Sequence, residues 1–375
     1  MVKQGIYKIL YNYALTDTVY SMVLEGDTSA LIAPGQFVNI KLEGKFLRRP
    51  ISVCDYTSDS LTVIYKVVGE GTEKMATMQA GEEVLTLTGL GNGYDTSLSG
   101  ERPMLIGGGV ISADAEYDAM YLCEKMHIPV VSTLMGLGAI SAYRSLFLGM
   151  TGLHGHERAN NAVKEADLIL AVGTRFNDRV TGERKTYNEN KVIIHLDIDP
   201  AELDKNIFST IGISANMNKT LQLIEKGSEP HDLSAWWERI ESWPSMDEDF
   251  GDQEAPEFFK ALNPVIKDKD YIITTDVGQH QMWAAQHLRI QFARQWITSG
   301  GLGTMGFGLP AAMGAQLARP KSRVISLSGD GGFKMTGSEL FTIASYKLPV
   351  TGHAGVICNL HSITAPSGTV AMIYD

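Results

Sequence analysis

The sequence predicts a multidomain protein, with an N-terminal antiparallel β-barrel followed by two α/β domains built on parallel sheets, the last of them truncated. Short strand-like segments separated by turn residues run from residue 6 to about residue 88, as in a barrel. From residue 112 to about residue 218, helix and strand patterns alternate, which is typical of a parallel sheet wrapped by helices. The same alternation, interrupted by glycine-rich turns, follows residue 258.

An acidic stretch with three prolines separates the two α/β segments and has the pattern of a solvated linker. We expect its three tryptophans, Trp236, Trp237 and Trp243, to pack against a neighbouring domain. The predicted domains are therefore 1–103 (barrel), 104–226 (Rossmann-like middle domain), 227–257 (acidic linker), 258–350 (partial cofactor-binding domain) and 351–375 (unassigned tail).

Composition excludes several classes of protein. The chain has 375 residues, is 44% hydrophobic and 20% charged, and carries a net charge of −11, which argues against binding to nucleic acid or to an anionic membrane surface. Three scattered cysteines are too few for a disulfide framework or an iron-sulfur cluster. Because no apolar run approaches a membrane span and residues 1–20 lack a leader pattern, we expect a cytoplasmic protein.

Two motifs in the barrel segment suit a phosphate-bearing ligand. Arg48 to Ser52 (RRPIS) offers guanidinium groups that fork onto phosphate, and Gly69 to Thr72 (GEGT) is a turn whose amides can face a diphosphate. The alternative is a solvated strand end and a plain turn. In order and spacing the motifs resemble the FAD-binding barrel of the ferredoxin-reductase superfamily, most closely the electron-transfer subunit of dihydroorotate dehydrogenase. That resemblance implies a flavin site at Arg49, Ile51, Ser52, Gly69, Gly71 and Thr72.

The resemblance changes at Met104 to Ile111 (MLIGGGVI), a strand and glycine run that two families share. Nothing after Ser112 resembles the nicotinamide lobe of the reductases, so electron transfer by their route is not expected. The following residues instead resemble the middle domain of acetohydroxyacid (acetolactate) synthase large subunits, which are thiamine-diphosphate enzymes.

The middle segment has acidic and basic residues where its strands end. Asp197 can take the hydroxyls of a ribose or ribityl chain, and Arg175 can take a diphosphate. These segments resemble those that hold FAD in the synthase family, although Asn177 stands where that family more often has Asp. The alternative is a doubly wound domain without a cofactor, in which His154 is a packed histidine. The resemblance implies flavin contacts from Gly107, Gly108, Gly109, Thr133, Leu134, His154, Gly173, Arg175, Arg179, Asp197 and Ile198.

The stretch Arg323 to Phe333 (RVISLSGDGGF) predicts a buried strand that breaks into a glycine-rich loop. Thr336 to Glu339 (TGSE) has the pattern of a capping box, so we expect the next helix to begin there. A carboxylate on such a loop, Asp330, suits a hard cation that bridges the protein to a diphosphate. The alternative is an ordinary strand-to-helix turn with a solvated aspartate.

Two further segments, TDVGQHQMWAAQ from Thr275 and TSGGLGTMGFGLPAAMGA from Thr298, complete the pattern. Together with SGDGG they resemble the cofactor-binding domain of the synthase family. The resemblance implies thiamine diphosphate with Mg, and the condensation of pyruvate with a second 2-keto acid in branched-chain amino-acid biosynthesis. It also implies a homo-oligomer. The implied cofactor contacts are Val277, Gly278, Gln279, His280, Gly303, Met305, Gly329 and Gly331, and the implied metal ligands are Asp330 and Asn359.

The two ends of the chain depart from that family. Asn359 lies slightly farther downstream than the family's metal-binding asparagine, and residues 363–375 only faintly resemble a loop of cobalamin-dependent ribonucleotide reductases. In the synthase family a pyrimidine domain supplies the glutamate that activates the cofactor, and no Glu in residues 1–104 has a matching context. We therefore expect no acetolactate from this chain alone. A flavoprotein without turnover and a composite without an assembled site are the alternatives.

Overall fold

The computed structural model describes residues 2–91, 100–248, 254–354, 359–365 and 368–374, with the side chains of 254–256 and of all residues after 351 left aside. The chain divides into two compact units, residues 1–98 and residues 99–375. Each unit has its own sheet architecture and its own apolar core.

The first unit is a closed six-stranded antiparallel barrel with the order β1-β2-β5-β4-β3-β6, which confirms the predicted barrel. Along β1 the side chains alternate, so that Tyr7 and Ile9 are buried while Ile6 is exposed. The buried residues of all six strands fill the barrel interior. The elements are β1 (Lys3–Ala14), β2 (Val19–Glu25), β3 (Phe37–Lys41), β4 (Arg49–Tyr56), β5 (Ser60–Lys66), α1 (Glu70–Thr77) and β6 (Glu83–Leu90).

The GEGT segment forms the start of α1, where the sequence predicted a turn. Gly69 is the residue before the helix, and the hydroxyl of Thr72 accepts hydrogen bonds from the amides of Val68 and Gly69 at 2.9 and 3.3 Å. The helix is tied to the barrel wall by Asn12, whose amide group donates to the carbonyls of Met75 and Met78 at 2.8 and 2.9 Å.

The second unit begins with a six-stranded parallel sheet in the order β12-β11-β10-β7-β8-β9, as the alternating pattern predicted. Its central strands are continuous apolar runs because helices cover both faces. The elements are β7 (Pro103–Gly107), α2 (Glu116–Met126), β8 (Val130–Ser132), β9 (Phe147–Met150), α3 (Glu157–Glu165), β10 (Leu168–Val172), α4 (Asp178–Thr181), α5 (Arg184–Tyr187), β11 (Val192–Asp197), β12 (Ile211–Ser214) and α6 (Met217–Gly227).

The linker segment contains a helix, α7 (Ser234–Glu241), which packs on the middle domain. Trp236 is 2% exposed and its indole NH donates to the carbonyl of Pro103 at 3.3 Å, while Trp237 donates to the carbonyl of His127 at 2.9 Å. The predicted packing of these tryptophans is confirmed. On α2, by contrast, Tyr117 and Tyr121 lie on the exposed face, since Ala119, Leu122, Cys123 and Met126 form its buried side.

The remaining chain forms a second sheet in the order β14-β13-β15-β16-β18-β17, parallel except for the β17–β18 pair. One continuous apolar cluster contains residues of both α/β sheets, so the second unit has a shared core. The elements are α8 (Glu254–Ile266), β13 (Tyr271–Thr275), α9 (Gln279–His287), β14 (Trp296–Thr298), α10 (Gly308–Ala318), β15 (Arg323–Ser328), α11 (Asp330–Thr336), α12 (Glu339–Ser345), β16 (Val350–Ala354), β17 (Asn359–Ala365) and β18 (Gly368–Tyr374).

The predicted start of a helix within Thr336 to Glu339 is confirmed, but the capping box that predicted it does not form. A helix, α11, already begins at Asp330, and the next helix starts at Glu339 after Ser338, whose side chain makes no capping bond. Glu339 instead accepts a hydrogen bond from the hydroxyl of Thr342 at 2.9 Å. In the part of the chain that the structure describes, no helix has the length and apolar character needed to cross a membrane.

A buried histidine, His195 on β11, makes the second unit sensitive to acid. It is fully buried, its ring lies edge-on to Phe176 with centroids 5.0 Å apart, and neither ring nitrogen has a well-placed hydrogen-bond partner among the described residues. Burial lowers the pKa of His195 from its ordinary value, against smaller opposing contributions from Asp197, the Thr174 backbone, Asp204 and Glu202. The folded state therefore keeps this ring neutral.

We expect the free energy of unfolding to fall as the pH drops below about 6.5, where the unfolded histidine takes up a proton that the folded chain excludes. The loss should be about 1.4 kcal/mol for each pH unit between the unfolded and folded pKa values. All five tryptophans lie in the second unit, so tryptophan fluorescence during urea unfolding reports this unit alone. His195→Gln should flatten the pH dependence and His231→Gln, at an exposed position, should not; equal slopes for the two variants would refute the assignment.

Candidate functional site

Two helix N-termini meet at the carboxyl edge of β13 and β15, which are neighbouring parallel strands. Helix α9 begins at Gln279 after Gly278, and α11 begins at Asp330 after Gly329. A β-carbon on either glycine would come within 3.0 Å of the His280 ring, which lies between them. This arrangement directs unpaired backbone NH groups and two positive helix ends toward one place, as an anion site requires.

A buried carboxylate, Asp276, fixes this edge of the sheet. It directly follows β13, is 1% exposed, and accepts hydrogen bonds from the amides of Val277, Gly306 and Gly308 at 2.8 to 3.0 Å. The carboxylate thus joins the strand end, the loop after β14 and the first residue of α10. Gly332 of α11 packs directly against it, because a β-carbon at that position would overlap the Asp276 carboxylate.

Buried hydroxyls extend this network to α9. The hydroxyls of Thr275 and Thr298 are 2.7 Å apart, and the side-chain amide of Gln281 donates to Thr298 at 2.6 Å. Thr274 donates to the carbonyl of Gly308 at 2.9 Å. Because these groups are satisfied inside the protein, α9 and the loop after β14 are held in place before any ligand binds.

His280 is the buried group at this edge that is left for a ligand. Its Nε2 atom is buried and has no hydrogen-bond partner among the described residues. Burial lowers the pKa of His280 from its ordinary value, with Asp276 and Asp330 acting in the opposite direction. A partly buried, unpartnered ring nitrogen between two helix N-termini fits a polar ligand with an anionic part.

Asp330 is exposed and close to solvent. Its carboxylate lies 3.6 Å from the ammonium of Lys334, one turn along α11, and its side chain is 66% exposed. Within the described residues, no group of three or more His, Cys, Asp or Glu side chains forms a metal cage. Asn359 begins β17, and its side chain lies outside the described residues. Asp330 therefore offers a single carboxylate, which suits a cation that takes its other ligands from substrate and water.

The loop after β14 brings the remaining predicted residues to the same place. A β-carbon on Gly303, which has a φ of 66°, would lie 3.8 Å from Val277, and one on Gly331 would lie 3.1 Å from the Met305 methyl. The residues predicted to hold thiamine diphosphate converge at one edge: Val277, Gly278, Gln279, His280, Gly303, Met305, Gly329, Asp330 and Gly331. Asp276 was not among the predicted residues, because its contacts are made to backbone amides 30 and 32 residues away.

The predicted flavin residues of the middle domain lie at the carboxyl edge of its own sheet. Gly107 ends β7, Thr133 follows β8, Gly173 follows β10 and Asp197 ends β11. The amides of Gly108 and Gly109 donate to the carbonyls of Val172 and Gly173 at 2.9 and 2.7 Å, so these two loops are in direct contact.

The polar residues of this edge serve partly structural roles. Asn177 caps α4 by accepting from the amide of Val180 at 3.1 Å, so the amide side chain is sufficient there. Asp197 accepts from the amide of Asp199 at 2.9 Å and is 7% exposed. The carbonyl of Arg175 accepts from Asn206 at 2.9 Å, and Ile198 is exposed.

A cavity of about 130 Å³ lies where the middle domain meets α9. Four predicted residues line it, and the carbonyl of His154 also accepts from Gln286 of α9 at 3.0 Å. Sequence patterns missed the opposite wall, since it comes from a different domain. The predicted lining residues are Thr133, Leu134, His154 and Arg179, and the missed ones on the opposite wall are Gln281, Met282, Ala285 and Gly300.

In the barrel unit, the two predicted motifs are adjacent. The guanidinium of Arg49, at the start of β4, packs on Gly71 in the first turn of α1, so closely that a β-carbon on Gly71 would overlap it. Arg49 also donates to the carbonyl of Leu47 at 2.8 Å. Ser52 is exposed on the same strand, whereas Thr72 is buried in its capping role.

Comparison with known proteins gives matches in the second unit. Residues 99–224 match the central domain of thiamine pyrophosphate enzymes, and residues 276–353 match their C-terminal TPP-binding domain. The predicted resemblance of residues 112–350 to thiamine-diphosphate enzymes is thereby confirmed. Neither match extends over the barrel, for which the antiparallel architecture alone is established.

Several curated relatives are more than 40% identical. The chain is 43% identical over 299 residues to the probable acetolactate synthase large subunit of Methanococcus aeolicus, covering 74% of this chain and 48% of that protein. It is 44% identical over 264 residues to the acetolactate synthase large subunit of Parasynechococcus marenigrum, covering 67% and 42%. It is also 44% identical over 253 residues to the isozyme 2 large subunit of Escherichia coli, covering 67% and 46%. The chain thus spans about half the length of these relatives.

The two aspartates of the site should differ sharply in their effect on stability. Asp276→Ala should lower the free energy of unfolding by about 3 kcal/mol or more, because three backbone amides lose a buried acceptor. Asp330→Ala should change it by less than about 0.5 kcal/mol, since that carboxylate is exposed. Urea unfolding followed by tryptophan fluorescence measures both. Similar losses for the two variants would contradict the division into a structural and a ligand-facing carboxylate.

Proposed function

We propose that the carboxyl edge of β13 and β15 binds thiamine diphosphate with Mg and serves the condensation of pyruvate with a second 2-keto acid. The observation that carries this proposal is the meeting of the α9 and α11 N-termini around the unpartnered Nε2 of His280. The matches of the second unit to thiamine pyrophosphate enzymes and to acetolactate synthase large subunits support it.

In this proposal the amides from Gly278 to His280 would bind the diphosphate, since they lie at the start of α9 and the Val277 amide already donates to Asp276. Asp330, whose carboxylate lies 3.6 Å from the ammonium of Lys334, would be a carboxylate ligand of Mg. Met305 and Gly303 lie beside the thiamine part, and the buried Asp276 network keeps their loop in position. When bound, thiamine diphosphate supplies the carbanion stabilisation that joining two keto acids needs.

Proton removal from the cofactor needs a carboxylate beside its aminopyrimidine. Asp276 is committed to three backbone amides, and Asp330 is assigned to the metal. We therefore propose that the activating glutamate comes from a domain of the synthase type outside residues 99–353, in the same assembly. An oligomer would supply it across an interface.

Calorimetry with Mg and thiamine diphosphate tests the cofactor site. The chain should bind the cofactor only when Mg is present, and Asp330→Ala should remove most of the Mg-dependent heat because it deletes the carboxylate ligand. Glu241→Ala, which deletes an exposed carboxylate on α7, is the matched control and should bind as the parent does. Equal binding heats for the parent and Asp330→Ala would mean that Asp330 binds no metal and that the loop is an ordinary strand-to-helix turn.

A second candidate function is flavin binding, and the contact between Arg49 and Gly71 favours the barrel as its place. A guanidinium beside the N-terminus of an eight-residue helix can hold a diphosphate, as the resemblance of the barrel to flavin-binding reductases implies. The carboxyl edge of the middle sheet, with Asp197 and Arg175, is the other candidate place for FAD.

The visible absorbance of the chain after incubation with FAD and gel filtration decides between these places. We expect retained flavin, and its loss in Gly71→Ala, because the new methyl group displaces the Arg49 guanidinium. Gly314→Ala, where a β-carbon meets open space, should retain it. If only Asp197→Ala loses the flavin absorbance, the flavin site lies in the middle domain. A parent chain without flavin absorbance would refute both sites.

A further inference from the structure

A cavity of about 660 Å³ in the second unit lies apart from the sites described above. Three stretches of chain line it: residues 142–148 before and within β9, residues 245–247 after α7, and residues 260–267 at the end of α8 and just after it. Arg158 of α3 and Arg289 after α9 complete the wall. Its volume is in the range of pockets that hold nucleotide-sized molecules.

The lining of this cavity is strongly basic in a chain whose net charge is −11. Among the described residues that line it, Asp247 is the single carboxylate, against five basic side chains. The low-dielectric walls of a cavity concentrate the electric field of the charged side chains that line it. This cavity therefore attracts anions, although the net charge of the whole protein repels them. The five basic residues are Arg144, Arg158, Lys260, Lys267 and Arg289.

Protein groups neutralise only part of this charge. Arg289, whose side chain is 10% exposed, pairs with Asp247, and Arg144 pairs with Glu124 at 2.6 Å. Arg158 donates to the carbonyl of Trp243, which is a neutral acceptor. The Glu248 carboxylate also interacts electrostatically with the Arg158 guanidinium.

The ammonium of Lys267 lies over the ring of Tyr143, 4.8 Å from its centroid. This contact orients the lysine and contributes no negative charge. Tyr143 is also the aromatic surface of the cavity, and Phe147, Leu148, Met246 and Pro264 add apolar wall. The cavity therefore combines guanidinium and ammonium donors with a ring and an apolar face.

We propose that this cavity binds a small molecule that carries two or more phosphate groups and a planar ring, a nucleoside polyphosphate being the chemical class. The guanidinium groups of Arg144 and Arg158 match phosphate oxygens, and Lys267 adds a point charge. The ring of the ligand packs against Tyr143 and the neighbouring apolar side chains. The site is distinct from the diphosphate edge at α9, which none of the residues lining the cavity contribute to.

Titration of the full chain with ATP in EDTA tests the proposal, since without Mg the Asp330 edge is not favoured. We expect binding that weakens as salt is raised, and that weakens about tenfold in Lys267→Glu through reversal of a charge at the phosphates. Lys269→Glu makes the same charge change two residues away, outside the cavity, and should bind ATP as the parent does. Both lysines are exposed, so neither change disturbs the core.

Tripolyphosphate and adenosine separate the two parts of the ligand. Tripolyphosphate should bind more weakly than ATP and lose affinity in Lys267→Glu, whereas adenosine should bind weakly and alike to both lysine variants. Lys260→Glu, in α8, makes the same charge change at another residue that lines the cavity and should also weaken the binding of ATP. The proposal is overturned if the parent binds neither ATP nor tripolyphosphate, or if Lys267→Glu and Lys269→Glu bind ATP equally.

Discussion

The cofactor edge of the second unit depends on the carboxylate of Asp276. This one side chain joins the end of β13 to the loop after β14 and the start of α10, about 30 residues farther along the chain. A buried carboxylate of this kind is tolerated only when its oxygens are hydrogen-bonded, and here backbone amides supply the bonds. Its position also explains Gly332, because any side chain there would displace α11 and with it Asp330.

Two aspartates that stand in similar sequence patterns, Asp276 and Asp330, have different roles in the structure. Asp276 and Asp330 both follow a buried strand of the same sheet and both precede a helix. One carboxylate is turned inward and holds the loops; the other is exposed and pairs with a lysine one turn away. The buried network therefore holds the loops in place independently of Asp330, which suits the proposed role of that carboxylate as a metal ligand.

The second unit has two separate places that can attract anions. Helix starts and an unpartnered histidine mark the thiamine edge, whereas arginines and lysines from three stretches line the large cavity. Both places attract anions within an acidic chain, but by different means. Backbone dipoles act at short range and select by geometry, while the basic side chains act through net charge and are screened by salt.

Sequence by itself determined the order of architectures and the strands β13 and β15, and it predicted the residues that converge at their carboxyl edge. Buried apolar runs that end in glycine or aspartate are local signals, and the carboxyl ends of parallel strands must share an edge. Tertiary structure decided what local patterns cannot: that GEGT and GDGG begin helices, that TGSE caps nothing, and that Asp276 is structural. The large basic cavity likewise arises only when residues 144, 158, 267 and 289 come together, because charge at a distance in sequence carries no local signature.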